Sequence, residues 1–298
     1  MTIKRYSYTD PIIKEENDTL QELSVEKSNN PILRVFRILS GTVNIKDEFL
    51  ERNYNLRTNY FNLPNCNVNR VSQKSILENF ADDLKLLDIN VLFKKAKNNY
   101  NFYETIETET IKCLLARNNQ KYLESFLFVY RLIEGISYSL PLIYTSKANN
   151  YKKSFQALQS FMSKNNSNGE IKFFKNFVAE IYSDEAFFRS TIDIDLNLIP
   201  IEELREPYYN LYKSNIEPDY ITEETENEEL KVNFLGFLSF MVTLRNRYFH
   251  FLQGSWQENL SSSQVIHPDM FFMPIVDHGI NWVAIVLFEV MKYDFESS

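Results

Sequence analysis

Only six glycines and nine prolines punctuate the 298 residues, and that scarcity limits the fold more than any motif does. Sandwiches and barrels need frequent tight turns, whereas this chain carries long apolar-periodic runs with few breakers, so a mainly α protein is expected. With 44% of residues hydrophobic and 15% aromatic, core material suffices for one large domain or two modest ones.

Residues 1–30 are polar and aperiodic and are expected to form a loosely held arm. The stretch "PILRVFRILSGTVNIKDEFL" fits either a β-hairpin around Ser40-Gly41 or a short helix and turn. In "SILENFADDLKLL", Ser75 followed by Glu78 has the spacing of a capping box and predicts a helix start. The asparagine-rich "KAKNNYNFY" at 95–103 is the expected boundary between two regions. Before it, residues 1–100 form an N-terminal extension whose fold the periodicity leaves open, with a small α+β arrangement among the alternatives. After it, residues 101–298 are helical, with helices expected at 104–118, 121–140, 151–164, 170–190, 200–214, 226–252 and 277–293. No internal repeat is visible. Short connections favour antiparallel neighbours, so this region is expected to form an up-and-down bundle with accessory helices.

Several function classes fall away at this level. A formal charge of −8 argues against non-specific coating of duplex nucleic acid, which depends on many cations, although RNA in one local basic groove stays open. Cys66 and Cys113 fit no C-x-x-C pattern, which suggests neither a disulfide framework nor a zinc site and points to a reducing cytosol. The start lacks an apolar signal region, and the most hydrophobic stretch, "FLFVYRLIEGISYSLPLIY", is interrupted by Arg131, Glu134 and Pro141, so neither secretion nor a membrane span is expected. No phosphate-cradling glycine motif is present. His267 and His278 lack metal-ligand spacing, and Asp277 is expected to cap a final helix that has His278-Gly279 in its first turn. Asp82-Asp83 and "ETIETET" are expected to be solvated faces. Lysines interleave with aromatics in "FKKAKNNYNFY" and "YTSKANNYKKSF", a pattern that suits either base stacking or ordinary helix ends.

The most informative stretch is "VTLRNRYFHFLQG", 242–254. Its helix is expected to open on a capping box of Thr225 and Glu228, with Glu223, Glu224, Glu226, Glu228 and Glu229 complementing the dipole. At 100° per residue, Phe234, Phe237, Leu238, Met241, Leu244 and Tyr248 fall within about 60° of one line and should face the core. Ser239, Thr243, Asn246 and His250 fall opposite, while Arg245 sits at the margin with its stem on apolar surface. A helix apolar everywhere except one ridge is rarely exposed, and a second copy of the chain is one cover that fits. One reading has Arg245 and His250 satisfying each other's neighbours at a helix end before Gly254; the other makes them a working site.

Arg245-Asn246-Arg247-Tyr248-Phe249-His250 resembles the HEPN ribonuclease motif, an arginine, a polar residue, three to five residues and a histidine, late in a helical bundle. The resemblance extends over roughly 104–294 through the order of helices, and "FVYRLIEGISYSLPLIY" is similar to an early HEPN helix carrying a glutamate, here Glu134. It implies a HEPN-like bundle over 101–298 and metal-independent RNA cleavage, with no cofactor, at a composite site between two protomers. It also implies roles as a toxin or antiviral-defence effector, with an antitoxin or sensor protein as a possible partner. On this reading Arg245 and His250 are catalytic, Asn246 positions the phosphate or the imidazole, Glu134 supports, and Arg247 is an electrostatic guide or ion-pair partner. The adenylylated tyrosine of one HEPN sub-family, two residues after the histidine, is here Leu252, which argues against that control. The other function the same residues fit is a non-catalytic HEPN-like dimerisation module that binds RNA or a nucleotide.

Overall fold

The computed structural model describes residues 5–14, 18–62, 66–68, 70–146, 150–163, 170–250 and 259–296. These are mostly helical, and the chain divides into two compact units, Met1–Leu115 with Val283–Ser298, and Ala116–Trp282. The asparagine-rich 95–103 segment lies inside the first unit.

In the first unit, β1 (Tyr6–Thr9) precedes α1 (Pro31–Leu39), and a three-stranded antiparallel sheet in the order β1-β2-β3 is completed by β2 (Asn44–Asp47) and β3 (Arg52–Asn55). The two alternatives for residues 31–50 resolve as helix, turn and strand. The Asn30 side chain accepts a hydrogen bond from the Ile32 N–H at 3.0 Å, Pro31 takes the first helical position, and the turn falls at Gly41. Gly41 has φ +69°, and a Cβ there would lie 2.7 Å from the Thr58 backbone, so both conformation and space require glycine. Then come the short pair β4 (Thr58–Asn59) and β5 (Cys66–Asn67), followed by α2 (Gln73–Leu77), α3 (Leu86–Lys95) and α4 (Tyr100–Asn118), the last of which runs past the end of the unit. The predicted cap at Ser75 is corrected: Ser72 begins α2, Ser75 is its third residue and accepts from the Ser72 N–H at 3.2 Å, and Glu78 closes the helix. A hydroxyl at the third position substitutes for the expected glutamate. Phe36 anchors the core, with the rings of Phe61, Phe80, Phe93 and Phe288 all within 5.9 Å. Such pairs contribute about 0.5–1.5 kcal/mol each beyond area burial.

The second unit holds α5 (Tyr122–Ser146), α6 (Tyr151–Ser163), α7 (Glu170–Ile181), β6 (Thr191–Asp195), α8 (Arg205–Asn215), β7 (Ile221–Thr225), β8 (Glu229–Asn233) and α9 (Phe234–Phe249), with α10 (Pro268–Glu296) beginning in it. Its antiparallel sheet, in the order β6-β8-β7, is a departure from the expected all-helical bundle. The acidic run proposed as a helix start forms a hairpin instead: Glu228 N–H donates to Thr225 C=O at 3.0 Å, and Asn227 takes φ 64°. The strand signal is period two, since Leu230 and Val232 are buried while Glu229, Lys231 and Asn233 are partly exposed. Lys231 and Lys213 ion-pair with Glu223 and Glu224, each at 2.7 Å, so the acids serve strand faces and not a helix dipole.

The final helix also starts earlier than predicted. Asp277 is interior to α10, not its cap, and is held by Arg117 through Nε at 2.9 Å and Nη2 at 2.6 Å. At Gly279 an added Cβ would come 2.9 Å from Val129 of α5 and 3.0 Å from Met241 of α9, so the glycine permits close helix packing. Trp282 stacks on Phe234 at 5.1 Å and donates its indole N–H to the Phe234 carbonyl at 3.0 Å, fixing the start of α9. By length and composition, Tyr122–Ser146 and Pro268–Tyr293 are apolar enough to cross a membrane, yet 56% and 83% of their apolar windows are buried within the fold, as in core helices.

Candidate functional site

The ridge on α9 begins with a well-defined cap. Asn233, the last residue of β8, accepts from the Gly236 N–H at 2.7 Å and caps the helix eight residues after Thr225, the cap expected from sequence. Phe234, Phe237, Leu238, Met241 and Leu244 are buried as the periodicity requires, Phe240 joins them, and Tyr248 is half-buried against Phe249 and Phe272. On the opposite side Ser239 and Thr243 return their hydroxyls to carbonyls one turn back, at 3.3 and 2.9 Å. These two are satisfied within the helix. The ridge's chemistry therefore concentrates in its last turn.

There the structure brings Arg245, Asn246 and His250 together. Arg245 Nη1 donates to Asn246 Oδ1 at 3.1 Å and contacts His250 Nε2. A guanidinium accepts nothing, so Nε2 must be the acceptor, which places the proton of a neutral imidazole on Nδ1. His250 forms the C-cap of α9, its N–H bonded to Asn246 O at 3.2 Å, and it remains partly exposed. Phe249 beside it is 39% exposed. Leu252 and Gly254 lie outside the described residues.

Glu134 joins this group from α5. Its Oε1 lies 3.4 Å from Arg245 Nη2, and Tyr130, one turn earlier, presents its ring face to the guanidinium at 4.6 Å. The Arg245 side chain is 25% exposed, so its charge is restrained on two sides without being sealed. Burial raises the Tyr130 phenol above its ordinary value; the Arg245 charge opposes this and Glu134 reinforces it, so the hydroxyl stays protonated at neutral pH. No motif in the sequence marks Tyr130, although Y-x3-E on a helix places both groups on one face.

Arg247 takes a separate course. Its Nη1 donates to Asn215 Oδ1 of α8 at 2.8 Å, and its carbonyl accepts from Leu260 N–H at 2.9 Å, tying α9 to α8 and to the loop before α10. His267 is exposed, with its N–H donating to the Tyr208 hydroxyl at 2.9 Å, and His278 is remote from it on α10. Among the described residues no group of three His, Cys, Asp or Glu side chains is disposed to hold a metal ion. Comparison with family models, curated proteins and solved structures gives no match.

Proposed function

We propose that this protein is a HEPN-type, metal-independent endoribonuclease that acts as a homodimer, a toxin or antiviral-defence effector that cuts RNA. The observation that supports this reading is the joining of Arg245, Asn246 and His250 on one partly exposed helix end, with Glu134 and Tyr130 holding the arginine from α5. Cleavage by a 2′-hydroxyl needs a base for that hydroxyl, an acid for the 5′-oxygen and positive charge for the phosphorane. In the unliganded chain the imidazole's Nε2 lone pair faces the guanidinium. A phosphate would take over the guanidinium as a forked partner and free Nε2 to receive the proton, while Asn246 orients one or the other. A single chain brings one such imidazole, and a second copy would bring the other, so that one acts as base and its mate as acid. Tyr151 and Phe155 of α6, 89% and 65% exposed with Lys152 between, suit stacking of unpaired bases. In this reading an antitoxin or sensor protein would engage the N-terminal region.

One observation favours a second reading, a HEPN-like module that dimerises or binds RNA without cutting: Arg245 already has partners in its own chain, as a helix-end arginine with a purely structural task would. The two separate on incubation of purified protein with mixed RNA in excess chelator. The ribonuclease reading requires new ends bearing 2′,3′-cyclic phosphate, lost in His250→Ala and in Arg245→Ala. Cleavage persisting in both variants removes the site, and intact RNA with a stable dimer selects the binding module.

A further inference from the structure

The first unit contains a groove of about 500 Å³ that has no part in the chemistry above. Its lining includes β1 on one side and Glu104, Glu107 and Lys112 of α4, with Arg34 of α1. A second cavity of about 280 Å³ at the start of α1 shares Asn29 and Tyr100 with it, so the depression is elongated.

Two features of the lining are incomplete. The first is the strand edge. Among the described residues β1 pairs with β2 alone, and Glu48 N–H donates to Arg5 C=O at 2.9 Å, which fixes the parity of the ladder. Residues 5, 7 and 9 therefore turn their amides toward β2, while the N–H and C=O groups of Tyr6 and Tyr8 point away from the sheet. The second is Arg34. Its side chain is only 14% exposed, it lies over the Tyr8 ring at 4.9 Å, and its Nη1 is 3.6 Å from Glu107 Oε1, whose carboxylate also receives the Tyr8 hydroxyl. Among the described residues that Nη1 approach is too long for a hydrogen bond, so the guanidinium on the groove wall keeps donor capacity. A largely buried guanidinium with donors to spare calls for acceptors.

We propose that this groove receives an extended polypeptide segment, which adds to the free edge of β1 as a further antiparallel or parallel strand and gives a carbonyl or carboxylate oxygen to Arg34. A main chain supplies the alternating donors and acceptors that Tyr6 and Tyr8 lack among the described residues, and an elongated depression suits its length. The charges favour peptide over a polyanion, since Glu26, Glu104 and Glu107 balance Arg5, Arg34 and Lys112 in the lining and leave no net positive field for phosphates. Glu104, exposed on the rim, favours a basic side chain at that end.

The test pans the full-length protein against a phage-displayed library of random decapeptides, then follows one enriched, fluorescein-labelled peptide by anisotropy. N-methylating alternate residues of the peptide should weaken binding in one register by about tenfold per hydrogen bond lost and leave the other register nearly unchanged. Tyr6→Pro removes only an outward N–H, so the ladder with β2 survives, and it should weaken binding by about tenfold beyond Tyr6→Ala. Arg34→Leu should weaken it as well. Failure to enrich any peptide, equal loss in both N-methyl registers, or displacement of the peptide by a ten-nucleotide single-stranded RNA would each overturn the proposal, the last assigning the groove to nucleic acid.

Discussion

Arg37 in the first unit and Arg245 in the second are the same side chain in opposite environments. Arg37 is fully buried, and each of its five N–H donors is taken: two by Asp10 at 2.9 and 3.0 Å, and the rest by Leu23 O, Thr42 O and Thr42 Oγ1, all at 2.7 Å. It ties the segment after β1 and the turn after α1 to the helix. Arg245 is 25% exposed and engages Glu134 only at 3.4 Å. A guanidinium with every donor filled holds a fold, and one with loose partners can exchange them for a phosphate. The contrast makes the two arginines experimentally separable.

The largest expected effect tests the exposed arginine. On the proposed ribonuclease function, Arg245→Met and His250→Ala should each lower RNA cleavage by about 10²–10⁴-fold, read as loss of 2′,3′-cyclic phosphate ends. Stability should change by less than about 1 kcal/mol in the arginine variant, since a partly exposed ion pair contributes little. Should Arg245→Met instead unfold the protein, the second arginine would belong with the first. The buried arginine should behave the other way. Arg37→Met leaves the Asp10 carboxylate sealed without its partner, which costs about 3–5 kcal/mol in urea unfolding, and replacing both residues together should recover much of that loss. Cleavage per folded molecule should be unchanged.

How far the sequence foretold these two environments differs between them. The core face of α9 and the polar ridge opposite it follow from period alone, and Arg245, Asn246 and His250 meet because residues i, i+1 and i+5 span little more than one turn. Glu134 was legible as a helical glutamate, but that it meets Arg245 111 residues on is tertiary information. Asp10 lies in the aperiodic arm, so nothing local marked it as the partner of Arg37, and a loosely held arm was expected where the structure has an anchored segment. The start of α9 departs from the expected one because Thr225 and Glu228 have capping-box spacing, while Leu230 and Val232, alternating with polar residues, stabilise a strand pairing with β6 that outweighs it. Asp277 departs from expectation for a related reason: its acid side chain suits a cap, but Arg117 holds it in mid-helix.

The histidines repeat the contrast. His250 is partly exposed at a helix end, whereas His278 has an Nδ1 sealed from solvent with no hydrogen-bond partner among the described residues. Burial lowers the His278 pKa below its ordinary 6.5, opposed by the charge of Asp277 and the main chain of Asp193. The unfolded chain therefore takes up this proton first as pH falls. Stability is complete above pH 6.5 and is lost below it, at up to about 1.4 kcal/mol per pH unit for one proton. Urea midpoints between pH 7.5 and 5.5 should fall more steeply in the natural protein than in His278→Gln. Parallel slopes would mean that His278 is protonated as easily folded as unfolded.

The smallest effect probes how loosely Arg245 is held. Glu134→Gln keeps the shape and one acceptor but removes the charge, and a partly exposed pair contributes about 0.2–1 kcal/mol, so cleavage should fall by only about two- to fivefold. Tyr130→Phe preserves the ring face beneath the guanidinium and should change cleavage less than Tyr130→Leu, which forfeits the cation–π contact. What distinguishes positioning from stability is the double variant. In an Arg245→Ala background Glu134→Gln should have no further effect on cleavage, because a carboxylate that acts only through the guanidinium has nothing left to hold. A residual effect of the same size would mean that Glu134 acts on RNA or on the fold directly.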